Sequence, residues 1–457
     1  MSDWLTLWAL ILSIALVAWA VTMRVLSGSW LHPAALFAMW WCFAGILPLI
    51  ASPYDPVSPG AMAWVILAAI AVSAGAVAGN GGFRTRIRTF HFEPTKMERQ
   101  IVAFIVLVSI ILGLLSSVTF ALGSGVAFGD ILDIHKLVIV SNQLYVARYV
   151  EPDAVVVAPP RISQALLPFV YLAPAVGGVL FVIHSKWRWK FIALMSLLPA
   201  VAVTVLQTTK AAVLFSGTLW LSAYLASRLR LGKTGLFTKA HLAVGAVLGG
   251  IATSFFFAVG LARLASTDTA LLDVVRVKLV TAAFGHMTVF SQWLGEYWKA
   301  PFNPSLGEYT LAGPRELLGI QQRVPGVFGT VVDLIAGETS NIFTGFRPLI
   351  EDYTIPGALA VLLVTGFIGG ITYRLVTSGK WGAVPVLAAV YMTIFWTPIT
   401  WFWIYNSLTA TIIGLCLIVW FTRMLHKARG FRMSWTGRHR ADANGAPVVQ
   451  RQGATAT

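Results

Sequence analysis

Apolar residues occur in long runs along most of this chain, and short polar segments separate the runs. A helix that crosses the hydrocarbon layer of a bilayer needs about 20 mostly apolar residues, and eleven runs approach or reach that length. They are Trp4–Met23, Pro33–Ala51, Gly60–Ala78, Ile101–Leu122, Ala165–His184, Phe191–Gln207, Ala211–Ser227, His241–Leu261, Ile355–Tyr373, Ala383–Thr400 and Phe402–Thr422. The pattern predicts an all-α polytopic membrane protein with about eleven transmembrane helices.

The composition agrees with this class. The chain is 57% hydrophobic and 11% charged, whereas soluble domains have about 45–50% apolar and about 25% charged residues. We expect one transmembrane domain over residues 1–440, with long outer loops at 123–164 and 262–354. The larger loop is rich in aromatic and apolar residues, so we expect order and short helices there. Val277–Trp298 is predicted to be a helix that lies in the membrane interface or dips into it. Residues 441–457 are small and polar, which predicts a disordered cytoplasmic tail.

The net charge of +15 is distributed in a way that predicts orientation. Every second loop is rich in Lys and Arg and nearly free of acids, as expected for cytoplasmic loops. The N-terminus is then outside the cell and the C-terminus is in the cytoplasm. Because membrane topology already accounts for the basic residues, we expect no binding to nucleic acid. No acid lies in the middle of a predicted span, which argues against an ion-coupled carrier.

The most polar cluster near an apolar run is found in the stretch 341–357, NIFTGFRPLIEDYTIPG. It contains one cation, Arg347, and two adjacent acids, Glu351 and Asp352, on the predicted outer side. A solvated loop end would explain the cluster, and Asp352 alone could stabilise the start of the following helix. The alternative is a site on the outer face that handles an anionic, lipid-linked substrate.

Other outer residues are candidates for the same chemistry. Lys210 lies between two predicted spans, where it could snorkel to the surface or face a phosphate. Arg263 and Arg276 open the large loop, where arginine could bind lipid headgroups or grip phosphate oxygens in a bidentate fork. His286 lies in an apolar stretch, so it could be a packed residue or a general base near neutral pH.

Two stretches and one loop resemble bacterial O-antigen polymerases, the Wzy-type polymerases of oligosaccharide repeat units. The stretches are TTKAAVLFSGTLWLSAYLA, with a cation at the outer end of a span, and NIFTGFRPLIEDYTIPGALAVLLVTGFIGGITYRL. The second is similar to the family's Asn-x-x-Thr, Asp-aromatic and Gly-rich span. The loop is the single large outer loop late in the chain. The resemblance covers roughly Phe191–Leu375 and departs from the family at Lys210, where arginine is commoner.

The resemblance implies a GT-C-like helical fold and a metal-independent transferase without a cofactor. Its donor and acceptor would be undecaprenyl-diphosphate-linked glycans, with a chain-length regulator as a further partner. On this hypothesis Arg347 and Lys210 hold the diphosphate, helped by Arg263 and Arg276. The general base is Asp352, with His286 as second choice. An O-antigen ligase, in which a loop histidine is central, and a lipid-linked glycan transporter or flippase are the alternatives.

Overall fold

The computed structural model of the protein describes residues 2–51, 57–83, 94–124, 126–130, 133, 135–136, 139, 160–207, 210–235, 254, 269–299, 303–322, 332–334, 339–422 and 424. The helices are α1 (Ser2–Ser27), α2 (Pro33–Ala51), α3 (Pro59–Asn80), α4 (Lys96–Gly123), α5 (Arg161–Ile183), α6 (Trp187–Met195), α7 (Leu198–Gln207), α8 (Lys210–Arg230), α9 (Thr269–Phe284), α10 (His286–Tyr297), α11 (Ala312–Leu317), α12 (Phe346–Thr377), α13 (Val384–Trp396) and α14 (Asn406–Thr422). Short 3₁₀ turns lie at Phe128–Asp130, Trp381–Ala383 and Phe402–Ile404, and strands β1 (Val332–Asp333) and β2 (Thr339–Ser340) pair antiparallel.

The helices confirm a multi-pass, all-α membrane architecture, but not the count of eleven spans. In the described ranges seven helical stretches are long and apolar enough to cross a membrane, and α13 and α14 are shorter apolar helices. The predicted span 191–207 is divided between α6 and α7, because Pro199 in the first turn of α7 cannot donate a backbone hydrogen bond. Most of the predicted span 241–261, most of the loop 123–164 and the tail 441–457 lie outside the described residues.

Helices α3 and α12 run parallel and in close contact. A side chain at Gly75 would meet the backbone oxygen of Leu363 at 1.9 Å, and one at Gly370 would meet that of Ala76 at 2.1 Å. Gly79 and Gly366 make equally close approaches, so each helix contributes a Gly-x-x-x-Gly pair. Glycine allows this because its missing side chain lets two membrane helices pack backbone to backbone.

The loops that the charge pattern assigns to the cytoplasm meet at one end of the bundle, which we call the basic end. At the end of α8, Nη2 of Arg230 lies 3.6 Å from Oε1 of Glu98 in α4. The Nε of the same arginine donates to the carbonyl oxygen of Gly379 at 3.4 Å. His184, after α5, lies 3.3 Å from the carbonyl of Arg99. Loops that are far apart in sequence therefore share this end, in agreement with the predicted alternation.

Helix α12 is interrupted at Thr354, whose φ of 64° and ψ of 176° are not helical. Pro356 follows two residues later and cannot donate to the preceding turn. Residues 346–353 therefore form a separate half-helix, and the remainder of α12 runs to the basic end. The half-helix carries the polar cluster of the sequence and lies at the opposite end of the bundle.

Candidate functional site

A pocket of about 380 Å³ opens beside the half-helix. Three segments form it: the last turns of α10, the loop 303–311 and the half-helix itself. The lining residues are Trp293, Glu296, Tyr297, Asn303, Ser305, Tyr309, Arg347 and Glu351. The pocket thus combines three aromatic rings with two acids, one cation and two small polar side chains, a mixture typical of sites for polar organic ligands.

A partly buried ion pair lies on one wall of the pocket. The Nε of Arg347 donates to Oε1 of Glu351 at 2.8 Å, one helical turn further along. The guanidinium carbon lies 4.0 Å from the ring centre of Phe343 and 5.5 Å from that of Trp293, and cations are attracted to such ring faces. Trp293 also donates a side-chain hydrogen bond to Glu351. The Glu351 carboxylate is therefore held in one orientation by two neighbours.

Asp352, the adjacent acid, is fully buried and is not one of the residues that line the pocket. Its Oδ2 accepts hydrogen bonds from the backbone N–H and the hydroxyl of Thr310, each at 2.6 Å. The N–H of Tyr309 and the hydroxyl of Ser305 also donate to the carboxylate. These contacts hold the loop against the half-helix. The role of Asp352 as general base stays a prediction, and the geometry gives it a positioning role.

Asp352→Ala is expected to lower the free energy of unfolding by about 3 kcal/mol or more, because several buried donors would lose a charged acceptor. Thermal unfolding of the purified protein would measure this loss. Glu308→Ala, in the same loop but exposed, is the matched control and should change stability by about 0.5 kcal/mol or less. Equal stability of the two variants would contradict the positioning role.

Backbone strain gathers around the same pocket. In the described part of the chain, positive φ angles at residues other than glycine occur at Leu306, Thr344 and Thr354. Leu306 lies in the loop, Thr344 precedes the half-helix and Thr354 ends it. Such conformations cost about 1–3 kcal/mol each and cluster at functional sites. This distribution is a further reason to regard the pocket as the candidate functional site.

His286 is not brought to the pocket. It begins α10, seven residues before Trp293, which is about 10 Å along the helix axis. Its Nε2 lies 3.0 Å from the carbonyl of Ala44, and the side chain is 4% exposed. Burial lowers the pKa of the ring to about 4, against the opposing effect of nearby backbone carbonyls. A packed, neutral histidine agrees with these contacts, and its role as general base stays a prediction.

Of the four cations predicted to bind phosphate, the structure describes the side chains of two. Arg347 lines the pocket, and Arg276 is exposed on α9. Lys210 begins α8 but its side chain lies outside the described residues, as does Arg263 altogether. Within the described ranges, no three His, Cys, Asp or Glu side chains come together in a way that could hold a metal ion.

Several lining residues were not assigned a role from the sequence. Trp293 and Tyr297 are four residues apart on α10, so they lie on one face of the helix. This spacing is the feature of the sequence that could have identified them as neighbours in a site. The stretch 277–298 was predicted as a single interfacial helix, whereas the structure has two helices that meet at Gly285. Asn303, Ser305 and Tyr309 belong to a loop without a recognisable motif, and only the fold brings them to the half-helix.

No protein-family model matches the chain, and neither the characterised proteins nor the solved structures include a significant match.

Proposed function

We propose that this protein is an integral-membrane glycosyltransferase. It polymerises undecaprenyl-diphosphate-linked oligosaccharide repeat units of a surface polysaccharide, at the outer face of the bacterial inner membrane. The observation that carries the proposal is the Arg347–Glu351 pair inside a pocket with three aromatic walls, at the bundle end opposite the basic end. With the positive-inside rule, that position favours the outer side.

The lining of the pocket suits a sugar. A pyranose ring has apolar C–H faces and hydroxyl groups around its edge. The rings of Trp293, Tyr297 and Tyr309 can pack against such faces, and Asn303 and Ser305 can exchange hydrogen bonds with the hydroxyls. The volume of about 380 Å³ lies within the range of about 300–1,000 Å³ that is usual for ligand pockets. We therefore assign the acceptor sugar to this pocket.

The transfer needs a base for the acceptor hydroxyl. In the proposed step the acceptor oxygen forms a bond to the anomeric carbon of the donor, and the bond from that carbon to the diphosphate oxygen breaks. The diphosphate leaves with the electron pair, and Glu351 takes the proton of the hydroxyl. Glu351 suits this role because its carboxylate lines the pocket and is fixed by Arg347 and Trp293.

Arg347 acts in this proposal by orienting Glu351 and by opposing the rise in the pKa of Glu351 that burial causes. Its role as a ligand of the diphosphate stays a prediction. In the structure its Nε already donates to Glu351, and Phe343 covers one face of the guanidinium. The growing negative charge on the leaving group still needs cations. Lys210, Arg263 and Arg276 remain the candidates for that task.

Deleting the gene and examining the length of surface glycan tests the function. A polymerase predicts that the ladder of long chains disappears while a single repeat unit is retained on its acceptor. Long polymer accumulating on the carrier lipid would indicate a ligase instead, and glycan that is never exported would indicate a flippase. An unchanged ladder would overturn the proposal.

Arg347→Ala is expected to insert normally but to yield mainly single-repeat glycan, with polymerisation reduced about a hundredfold. Without the guanidinium, Glu351 loses its ion-pair partner in a partly buried position. The readout is the glycan ladder in a complemented deletion strain, with the membrane level of the protein measured in parallel. Lys278→Ala removes an exposed cation from α9 and should leave chain length unchanged. Polymer of normal length in Arg347→Ala would refute the role of this ion pair.

A further inference from the structure

Acids outnumber cations around the pocket. The described residues of its three segments, together with those that directly follow α10, carry Glu296, Glu308, Glu351 and Asp352, against Arg347 and Lys299. Arg347 is balanced by Glu351. Lys299 lies 2.8 Å from Glu296, but both side chains are more than 70% exposed, so solvent weakens that pair. The excess negative charge therefore resides on Glu308 and on the buried Asp352.

The acids around the pocket affect the pKa of Tyr309, whose side chain lines the pocket. Burial is the main reason that the pKa of its hydroxyl is raised, and the charges of Glu351 and Glu308 raise it further. Asp352 adds to the effect and Arg347 opposes it without cancelling it. Ionisation of a group at this position is thus opposed by its neighbours. An anionic ligand placed against Tyr309 would meet the same repulsion.

We infer that the pocket selects a sugar ring without an acidic group, either neutral or carrying an amino group, and that it rejects uronic acids and phosphorylated sugars. The inference rests on the proposed function for the choice of a sugar as the ligand, and on the charges around the pocket for the selection. Glu296 and Glu308 are then specificity-determining residues.

Ligand-observed NMR of the full-length protein in nanodiscs tests the selection. Nanodiscs avoid sugar-based detergents, which would compete for the pocket. The probes are methyl glucoside, methyl glucosaminide and methyl glucuronide, which share one ring and differ in charge. We expect the first two to bind with dissociation constants of about 1–10 mM and the glucuronide to bind at least about tenfold more weakly. In the double variant Glu296→Gln/Glu308→Gln the difference should shrink to about threefold or less.

A matched pair of aromatic variants assigns the binding to the pocket. Tyr297→Ala should abolish the signals, whereas Trp298→Ala, the exposed neighbour that does not line the pocket, should leave them unchanged. Glucuronide binding as tight as glucoside binding would overturn the inference, and so would the absence of any glycoside signal. Selective binding by a protein that fails to join lipid-linked repeats would contradict the proposed function and leave the selection standing.

Discussion

Glu351→Gln is expected to lower the initial rate of polymerisation by about 10²- to 10⁴-fold, the usual contribution of a general base. Glutamine has nearly the same shape and keeps an oxygen that can accept from Arg347. The fold should therefore persist while the ability to take a proton is lost. The measurement is the rate at which purified protein in nanodiscs converts lipid-linked repeat units to longer products.

Two comparisons make this result specific. Glu316→Gln, in α11 and outside the pocket lining, should retain the wild-type rate. The melting temperature of Glu351→Gln should stay close to that of the wild type, which separates lost chemistry from lost folding. A Glu351→Gln protein that polymerises at the normal rate would exclude this carboxylate as the base and return the role to Asp352 or His286.

Gly370→Val is expected to prevent the bundle from assembling. A Cβ at this position would lie 2.1 Å from the carbonyl oxygen of Ala76 and 2.8 Å from the backbone nitrogen of Asn80. Backbone atoms cannot move aside as a flexible side chain can, so α3 and α12 would have to separate along their whole contact. We expect a loss above about 4 kcal/mol, the range of severe overpacking or strain, and an accumulation in the membrane at least about tenfold lower.

The matched control is Gly217→Val in α8, where a Cβ has open space around it. This variant should accumulate and elute from size exclusion like the wild type. Both substitutions add the same side chain to a helical glycine in the membrane domain, so composition cannot explain a difference between them. Similar accumulation of the two variants would show that the close approach of α3 and α12 does not hold the fold together.

The fold was largely predictable because hydrophobic run length is a strong local signal. Helix α2 begins and ends at the predicted residues, Pro33 and Ala51. The break in α12 at Thr354 was not predicted, although Pro356 lies in the stretch 341–357. A proline near the start of an apolar run does not specify at which preceding residue the helix is interrupted. The pairing of the two Gly-x-x-x-Gly segments depends on which helices become neighbours, and a single sequence does not state that.

The sequence located the polar cluster, but it did not show which of its side chains line the pocket. The cluster at Arg347, Glu351 and Asp352 does lie at a pocket, yet adjacent residues on a helix point about 100° apart. One acid therefore faces the pocket and the other faces the loop 303–311. The choice between them depends on Thr310, about forty residues away in the chain, and local sequence carries no information about that partner.

The most direct test of the central claim is a reaction with purified components. The protein in nanodiscs is incubated with a chemically defined undecaprenyl-diphosphate repeat unit, and the lipid-linked products are analysed by mass spectrometry. The account predicts lipid-diphosphate dimers and longer chains, with one undecaprenyl diphosphate released for each bond formed, and almost none of these products with Glu351→Gln. Repeat units that remain unchanged in the presence of folded wild-type protein would contradict it.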